Sequence, residues 1–144
     1  LSKLIVEQNL KSVMSEFLSI KPVFGTCAGL ILLGNNIKNQ SNTISFKCIN
    51  LDLKRNGWGR QINSFQYALS IKLAKRRINY NGIFIRAPKI YNCNGSTKIL
   101  ATIDGSPVLV QNDMVLGATF HPELTNDTRL HKYFINMIEN HPSC

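Results

Sequence analysis

The sequence predicts an α/β fold, and three observations support that prediction. A short apolar run at 22–25 predicts a buried strand, and the helical pattern that follows at once predicts a strand-to-helix turn. A second apolar run at 114–120 predicts another buried strand. Amphipathic helices are predicted near both ends, at 2–19 and 127–139, because their apolar residues recur at helical spacing. With 144 residues, 44% of them hydrophobic, the chain has enough apolar side chains for a core.

Turn signals and apolar runs divide the rest of the chain into elements. A polar loop is expected at 35–45, a turn at 79–82 (Asn-Tyr-Asn-Gly) and a hairpin loop at 104–107. The further strands are predicted, in chain order, at 48–54, 64–72, 83–85, 99–103 and 108–111. No internal repeat or linker interrupts this pattern, so we expect one domain over 1–144.

The net charge of +9, from 17 basic and 8 acidic residues, raises the question of a nucleic-acid partner. The basic residues are scattered, however, and their only tight group forms no known nucleic-acid module. That group consists of Lys72, Lys75, Arg76 and Arg77, beside the predicted turn at 79–82. We therefore expect no nucleic acid as partner and favour a basic docking face for an acidic partner.

The cysteines and the apolar runs exclude other classes. Cys27, Cys48, Cys93 and Cys144 show no Cys-x-x-Cys spacing, so they indicate neither a metal site nor a disulfide framework. No apolar run approaches the ~20 residues that cross a bilayer, and the first residues lack the layout of a signal peptide. We expect a cytoplasmic protein without a metal, a cofactor or a membrane partner.

Cys27 stands where a protein would present a nucleophile. It lies between Gly25 and Gly29, at the point where the strand at 22–25 gives way to a helix. Glycines relieve the backbone crowding of such a turn and leave the side chain between them exposed. The unpaired amides of the first helical turn are expected to lower the pKa of the thiol. The alternative is an inert, buried cysteine, which is the common state of free cysteines.

His121 is the candidate base for this nucleophile. It ends the strand at 114–120, and open α/β sheets place their chemistry at strand ends. Pro122 favours an extended backbone at His121, and in extended chain residues i and i+2 point the same way. Glu123 is thus expected to hold one imidazole nitrogen, which leaves the other free to take a proton from Cys27.

These residues carry a resemblance to a known family. Residues 25–29 (Gly-Thr-Cys-Ala-Gly) and 120–123 (Phe-His-Pro-Glu) resemble the class I, triad-type glutamine amidotransferases. Several segments narrow this to the glutaminase subunits of pyridoxal 5′-phosphate synthase. They are residues 22–33, 55–56, 59–61, 84–88 and 120–124. Their combination, in the same order along nearly the whole chain, is far more specific than any one motif.

The resemblance implies a three-layer, flavodoxin-like α/β fold with a mixed sheet. It implies hydrolysis of L-glutamine to L-glutamate and ammonia, and delivery of that ammonia to a separate synthase subunit in a hetero-oligomer that makes pyridoxal 5′-phosphate. Cys27 would attack the side-chain amide, His121 would transfer the proton, and Glu123 would orient His121.

The resemblance also assigns residues to the substrate. Arg55, Ile85 and Arg86 would contact glutamine, and the planar fork of arginine suits a carboxylate. The backbone amide of Ala28 would donate to the oxyanion. Without the family, the two arginines are ordinary solvated surface charges.

The sequence departs from the family in two places. Trp58 stands where tyrosine or phenylalanine is more frequent, and Gly57 beside it is expected to loosen the loop after Arg55. The first strands of the family, with the Gly-Gly-Glu-Ser loop that supplies the second oxyanion donor, have no counterpart. We therefore expect an N-terminally incomplete domain that begins inside a helix at Leu1. If the polypeptide begins there, we expect exposed apolar faces and little glutaminase activity. If the complete protein is longer, we expect the triad to work normally once the synthase partner is present.

Two alternatives stay open. The glutaminase of another biosynthetic pathway would share the triad but is not expected to carry the segment at 84–88. A truncated, non-catalytic copy would bind the synthase as a regulatory or structural partner, and Cys27 would then be dispensable.

Overall fold

The chain folds into helices and strands, in agreement with the predicted α/β class. The computed structural model describes residues 2–38, 43–58 and 64–142, so Leu1, the segment 59–61 and Cys144 lie outside the described residues. The helices are α1 (Ser2–Glu7), α2 (Lys11–Ile20), α3 (Ala28–Leu33) and α4 (Arg129–Glu139). The strands are β1 (Val23–Thr26), β2 (Asn36–Ile37), β3 (Leu51–Lys54), β4 (Ser64–Leu73), β5 (Arg76–Ile85), β6 (Lys89–Cys93), β7 (Lys98–Ile103), β8 (Ser106–Gln111) and β9 (Val115–Ala118). A 3-10 turn, Pro122–Leu124, follows β9.

Parallel and antiparallel pairing occur together, as expected for a mixed fold. The largest sheet has the order β1-β9-β8-β7, with β1 and β9 parallel and the other neighbours antiparallel. Strands β2, β3 and β6 form a second sheet, and β4 and β5 form a two-stranded hairpin. Within the described ranges, the strands therefore divide into three hydrogen-bonded sheets, where the sequence led us to expect one mixed sheet.

The largest sheet separates two clusters of buried side chains. Alternate residues of its strands contribute to opposite sides: Leu109 and Leu116 belong to one cluster, Val110 and Val115 to the other. The hairpin β4–β5 and α4 supply the first cluster, which contains Phe84, Phe120 and Leu130 among others. Helix α3 with β3 and β6 supplies the second cluster. The sheet is thus covered on both faces, as a layered α/β fold requires.

The parallel pair β1–β9 brings together segments that are far apart in the sequence. Gly25 and Gly117 are register partners in this pair, and α3 packs on them. A Cβ on Gly25 would lie 2.6 Å from Leu33 Cδ1, and a Cβ on Gly117 would lie 2.5 Å from Leu30 Cδ1. The two glycines therefore let the helix that follows Cys27 lie directly against the sheet.

The turn predicted at 79–82 was wrong. These residues lie inside β5, and the hairpin turns instead at Ala74 and Lys75, where Ala74 has a φ of 50°. Tyr80 and Gly82 face the core, and a Cβ on Gly82 would lie 2.9 Å from both Leu69 and Phe84. The glycine therefore serves close packing inside a strand. The basic residues 72, 75, 76 and 77 therefore lie at the turn of this hairpin, and not beside a turn at 79–82.

The single helix predicted over 2–19 is two helices. The chain leaves α1 through Asn9, whose φ is 52°, and the Leu10 amide donates to the Ile5 carbonyl at 2.9 Å. Asparagine tolerates this left-handed conformation and commonly ends helices in this way. Strands β2 and β6 were not predicted, because β2 has only two residues and β6 mixes apolar with polar residues.

The hairpin loop predicted at 104–107 is a two-residue turn between β7 and β8. Asp104 and Gly105 have φ values of 46° and 76°, which is the geometry that favours an Asp-Gly pair. The last predicted helix is α4, which buries Leu130. Among the described residues, no helix is long and apolar enough to span a bilayer.

The packing of α3 predicts opposite effects for substitutions at the two glycines on either side of Cys27, Gly25 before α3 and Gly29 inside it. Gly25→Ala should lower the free energy of unfolding by roughly 1–3 kcal/mol, because the added methyl meets Leu33 and the backbone of Gly29 and Leu30. Gly29→Ala should raise it by up to about 1 kcal/mol, since nothing lies within 4 Å of the added Cβ and alanine favours the helix. Urea denaturation of the two variants measures both changes. Equal effects would contradict this account of α3 packing.

Candidate active site

Cys27 occupies a strained turn between β1 and α3. Its φ of 47° and ψ of −104° are unfavourable for a residue with a Cβ, and its amide donates to the Ala118 carbonyl at 2.9 Å. Its carbonyl accepts from the Ile31 amide at 3.3 Å, inside the following helix. The β1–β9 pairing and α3 thus fix the backbone of Cys27 from both sides. Of the two glycines expected to relieve crowding here, only Gly25 is confined by its neighbours.

The thiol of Cys27 is half-buried and its Sγ lies 3.8 Å from the carbonyl oxygen of Ile85. The expected lowering of the thiol pKa was wrong for this state. Burial raises the pKa of Cys27, and the carboxylate of Glu123 raises it further. A hydrogen bond from the Ala28 amide and the charges of Arg86 and Arg55 act in the opposite direction but do not prevail. A neighbouring base would therefore help to form the thiolate.

His121 lies at the carboxyl end of β9 and is fixed by the neighbouring hairpin. Its amide donates to the Ile83 carbonyl of β5 at 2.8 Å. Its Nδ1 is 2.7 Å from Glu123 Oε1, so the imidazole and the carboxylate are paired as predicted. The backbone differs from the prediction, because Glu123 lies in the 3-10 turn Pro122–Leu124 and not in extended chain. This turn brings the carboxylate back toward the imidazole.

One open cavity of about 320 Å³ unites the candidate site. Cys27, Ala28, Ile31, Arg55, Asn56, Ile85, Arg86 and His121 line it. Every candidate site residue named from the sequence except Glu123 therefore borders the same space, and Glu123 reaches it through His121. Sequence reasoning gave Ile31 and Asn56 no role; Asn56 is adjacent to Arg55 in a short loop, and Ile31 is one turn along α3 from Cys27.

Three residues that border this cavity have positive φ values. Cys27, Asn56 and Arg86 have φ values of 47°, 48° and 44°, all in the left-handed region that side chains rarely adopt. Such conformations persist only where the surrounding structure enforces them, and they cluster at functional sites. The two arginine-bearing segments are joined directly, because the Gly57 amide donates to the Ala87 carbonyl at 3.2 Å.

The expectation that Gly57 loosens the loop after Arg55 was wrong. A Cβ at Gly57 would collide with Lys89 Cβ and lie 2.9 Å from its amide nitrogen, so the glycine permits close backbone contact. Trp58 fixes the same loop, since its indole Nε1 donates to the Pro88 carbonyl at 3.2 Å and its ring packs edge-on against Phe65 and Phe84. The aromatic substitution at Trp58 is therefore accommodated by the core.

No group of three or more His, Cys, Asp or Glu side chains in the described ranges is arranged to hold a metal ion. The side chains at the candidate site are a thiol, an imidazole, a carboxylate and two guanidinium groups. That set matches acyl transfer through a cysteine nucleophile.

The sequence matches the SNO glutamine amidotransferase family over residues 1–140. The chain belongs to this family. It is 46% identical over 118 residues to pyridoxal 5′-phosphate synthase subunit PdxT of Thermosipho africanus, an alignment that covers 82% of this chain and 61% of the relative. It is 44% identical over 117 residues to the PdxT subunit of Thermoplasma acidophilum, covering 81% of this chain and 55% of the relative. The chain thus spans about 60% of the length of such relatives.

The fold comparison agrees with this membership. A crystal structure described as a glutamine amidotransferase superposes with a TM-score of 0.86 at 33% sequence identity, covering 96% of this chain and 72% of the other. The expected glutamine amidotransferase fold is thereby confirmed.

The charges around Cys27 predict how its reactivity depends on pH. Arg86→Gln should raise the pKa of the thiol and slow alkylation at a given pH, because a stabilising positive charge is lost. Glu123→Gln should lower this pKa and shift the midpoint of the alkylation–pH curve to lower pH, because a destabilising negative charge is lost. The measurement is the iodoacetamide rate of the Cys27 peptide by mass spectrometry across a pH series. Lys98→Gln on β7, whose charge does not act on Cys27, is the control; shifts of the same sign in both site variants would contradict the prediction.

Proposed function

We propose that this protein hydrolyses L-glutamine to L-glutamate and ammonia, with Cys27, His121 and Glu123 as the catalytic triad. The observation that supports this most is the shared cavity. It joins the Cys27 turn to His121, and His121 Nδ1 is paired with Glu123 at 2.7 Å. Membership of a glutamine amidotransferase family supplies the substrate class.

The first half-reaction forms a thioester. With Nδ1 held by Glu123, the Nε2 atom of His121 takes the proton of the Cys27 thiol as Sγ attacks the side-chain amide carbon of glutamine. The raised pKa of the free thiol makes this transfer necessary, since little thiolate exists before substrate binds. The tetrahedral oxyanion accepts a hydrogen bond from the Ala28 amide. Collapse then breaks the C–N bond, and His121 returns the proton to the departing ammonia.

The second half-reaction releases glutamate. His121 takes a proton from water, the resulting hydroxide attacks the thioester carbon, and the C–S bond breaks. The sulfur leaves as thiolate and recovers the proton from His121. Atoms balance, since glutamine and water give glutamate and ammonia, and no oxidant or metal takes part.

Arg55, Ile85 and Arg86 are proposed to hold the substrate. Both arginines border the cavity, and either guanidinium can pair with the α-carboxylate of glutamine through two parallel N–H donors. The hydrogen bond between the Gly57 amide and the Ala87 carbonyl keeps their two segments together. Ile85 contributes its carbonyl, which faces Cys27 Sγ, and a side chain at the rim of the cavity.

We further propose that the ammonia passes to the synthase subunit of a pyridoxal 5′-phosphate synthase in a hetero-oligomer. The PdxT subunits that this chain resembles support the proposal, since their name places them in such an enzyme. Ammonia is a small neutral product in equilibrium with ammonium, so its capture by a second active site depends on direct contact between the subunits.

Replacement of the nucleophile tests the catalytic proposal. Cys27→Ala should reduce ammonia release from glutamine by at least about 10³-fold, because no other group can form the thioester. Cys48→Ala, which removes a half-buried thiol from the second core cluster, should leave release close to that of the unchanged protein. Ammonia and glutamate are measured together, with and without an added pyridoxal 5′-phosphate synthase subunit.

Two outcomes of this test would favour the alternative functions, a non-catalytic partner or a glutaminase of another pathway. If the unchanged protein releases no more ammonia than Cys27→Ala, while both still bind the synthase subunit, the protein is a non-catalytic partner and the proposal fails. If ammonia is released but is used only by the synthase subunit of another glutamine-dependent enzyme, the pathway assignment fails while the glutaminase assignment stands.

A further inference from the structure

The main-chain hydrogen bond from His121 to Ile83 is not the only contact between β5 and the segment that carries His121 and Glu123. The segment from Pro122 to Arg129 crosses the middle of β5, and its side chains and carbonyls meet Asn79 and Tyr80. Neither Asn79 nor Tyr80 borders the site cavity. These contacts are therefore outside the set of groups that would touch the substrate.

Tyr80 is the buried member of this contact. Its side chain is only 2% exposed, and its ring packs at 5.9 Å from that of Phe120, the residue before His121. Its hydroxyl lies 3.0 Å from Thr125 Oγ1 and 3.3 Å from the Asp127 carbonyl. Burial raises the pKa of Tyr80, so the hydroxyl is protonated at neutral pH and can donate in this network.

Thr125 links this hydroxyl to the turn that bears Glu123. Its Oγ1 and its amide both donate to the Pro122 carbonyl, at 3.0 Å and 3.2 Å. The Asp127 amide donates to the same Oγ1 at 3.3 Å. Glu123 stands between Pro122 and Thr125, so the two ends of its turn are fixed by one hydroxyl group and its partners.

A second bond fixes the far end of the segment. Arg129 Nη2 donates to the Asn79 carbonyl of β5 at 2.6 Å and to Asp127 Oδ2 at 2.6 Å. Glu123 itself is nearly half exposed at 46%, so burial alone does not hold its carboxylate in place. A restrained backbone lowers the entropy cost of holding an exposed carboxylate against an imidazole.

We propose that Tyr80 is a positioning residue for the triad. Its hydroxyl, through Thr125, holds the Pro122–Leu124 turn so that Glu123 stays bonded to Nδ1 of His121 and keeps Nε2 free for the thiol. The catalytic consequence rests on the proposed function, but the geometric consequence does not. Loss of the Tyr80 hydroxyl leaves the ring packing intact while it releases Thr125 and the Asp127 carbonyl.

The direct test is the tautomer of His121 in Tyr80→Phe. NMR spectra that correlate the imidazole nitrogens with the ring protons are recorded at a pH where the ring is neutral. In the unchanged protein, His121 should carry its proton on Nδ1, as the bond to Glu123 requires; in Tyr80→Phe it should become a mixture of the two tautomers. His131 and His141 serve as internal controls. An unchanged His121 tautomer would overturn the proposal, whatever the protein does with glutamine.

The kinetic readout is a fall in kcat for glutamine of about 10-fold to 100-fold with little change in KM, because misplacement of a catalytic pair acts on the reaction and not on substrate binding. Tyr133→Phe is the matched control, since Tyr133 is a partly buried tyrosine whose hydroxyl donates to Gln111 Oε1 at 2.7 Å, and neither residue borders the site cavity. Equal losses in both variants would show a general effect of removing a buried hydroxyl and would refute the role of Tyr80.

A second pair of variants keeps the proposal testable if Tyr80→Phe does not fold. Thr125→Ser retains the hydroxyl and should keep the Nδ1 tautomer and the kcat of the unchanged protein. Thr125→Val removes the hydroxyl and should give a mixture of the two tautomers and a lower kcat. Equal behaviour of these two variants would contradict the proposed link. If the unchanged protein releases no ammonia, the proposed function fails, and the tautomer comparison alone decides the role of Tyr80.

Discussion

The site depends first on the parallel pairing of β1 with β9. In this register Thr26 lies opposite Ala118, and the amide of Cys27 donates to the Ala118 carbonyl, so the chain leaves both strands at the same edge of the sheet. The Cys27 turn and the segment that begins at His121 are separated by more than ninety residues in sequence and are neighbours because of this pairing. A slip of one residue would exchange the side chains of β9 between the two core clusters and would separate Cys27 from His121.

The hairpin β4–β5 provides the second constraint. Along one strand, the carbonyl of Ile83 accepts from His121, that of Ile85 faces the Cys27 thiol, and Arg86 follows directly. The buried ring of Phe84 stacks on Phe65 at 4.5 Å and anchors this strand in the core. The unfavourable backbone conformations around the cavity are thus enforced by packing and hydrogen bonds on both sides of the site.

Much of this arrangement could be predicted from the sequence, because the chemistry-bearing residues sit in local patterns. The glycine-flanked Cys27 and the strand ending at His121 indicated where a nucleophile and a base would stand, and the family resemblance joined them. The turn at 79–82 was predicted wrongly because Asn79 and Gly82 look like turn residues, although one faces solvent and the other fills a tight core position. The pKa of Cys27 and the role of Gly57 were missed for a related reason. The burial of the Cys27 thiol and the packing of Lys89 against Gly57 depend on tertiary structure, which no local sequence pattern contains.

Cys27 is proposed to be the one cysteine of the described chain that a glutamine-like molecule reaches and that His121 activates. Treatment with a diazoketone analogue of glutamine, followed by digestion and mass spectrometry, tests this most directly. We expect an adduct on the peptide of Cys27, protection by excess glutamine, and a much slower reaction in His121→Asn. Adducts distributed evenly over Cys27, Cys48 and Cys93, with no protection by glutamine, would contradict it.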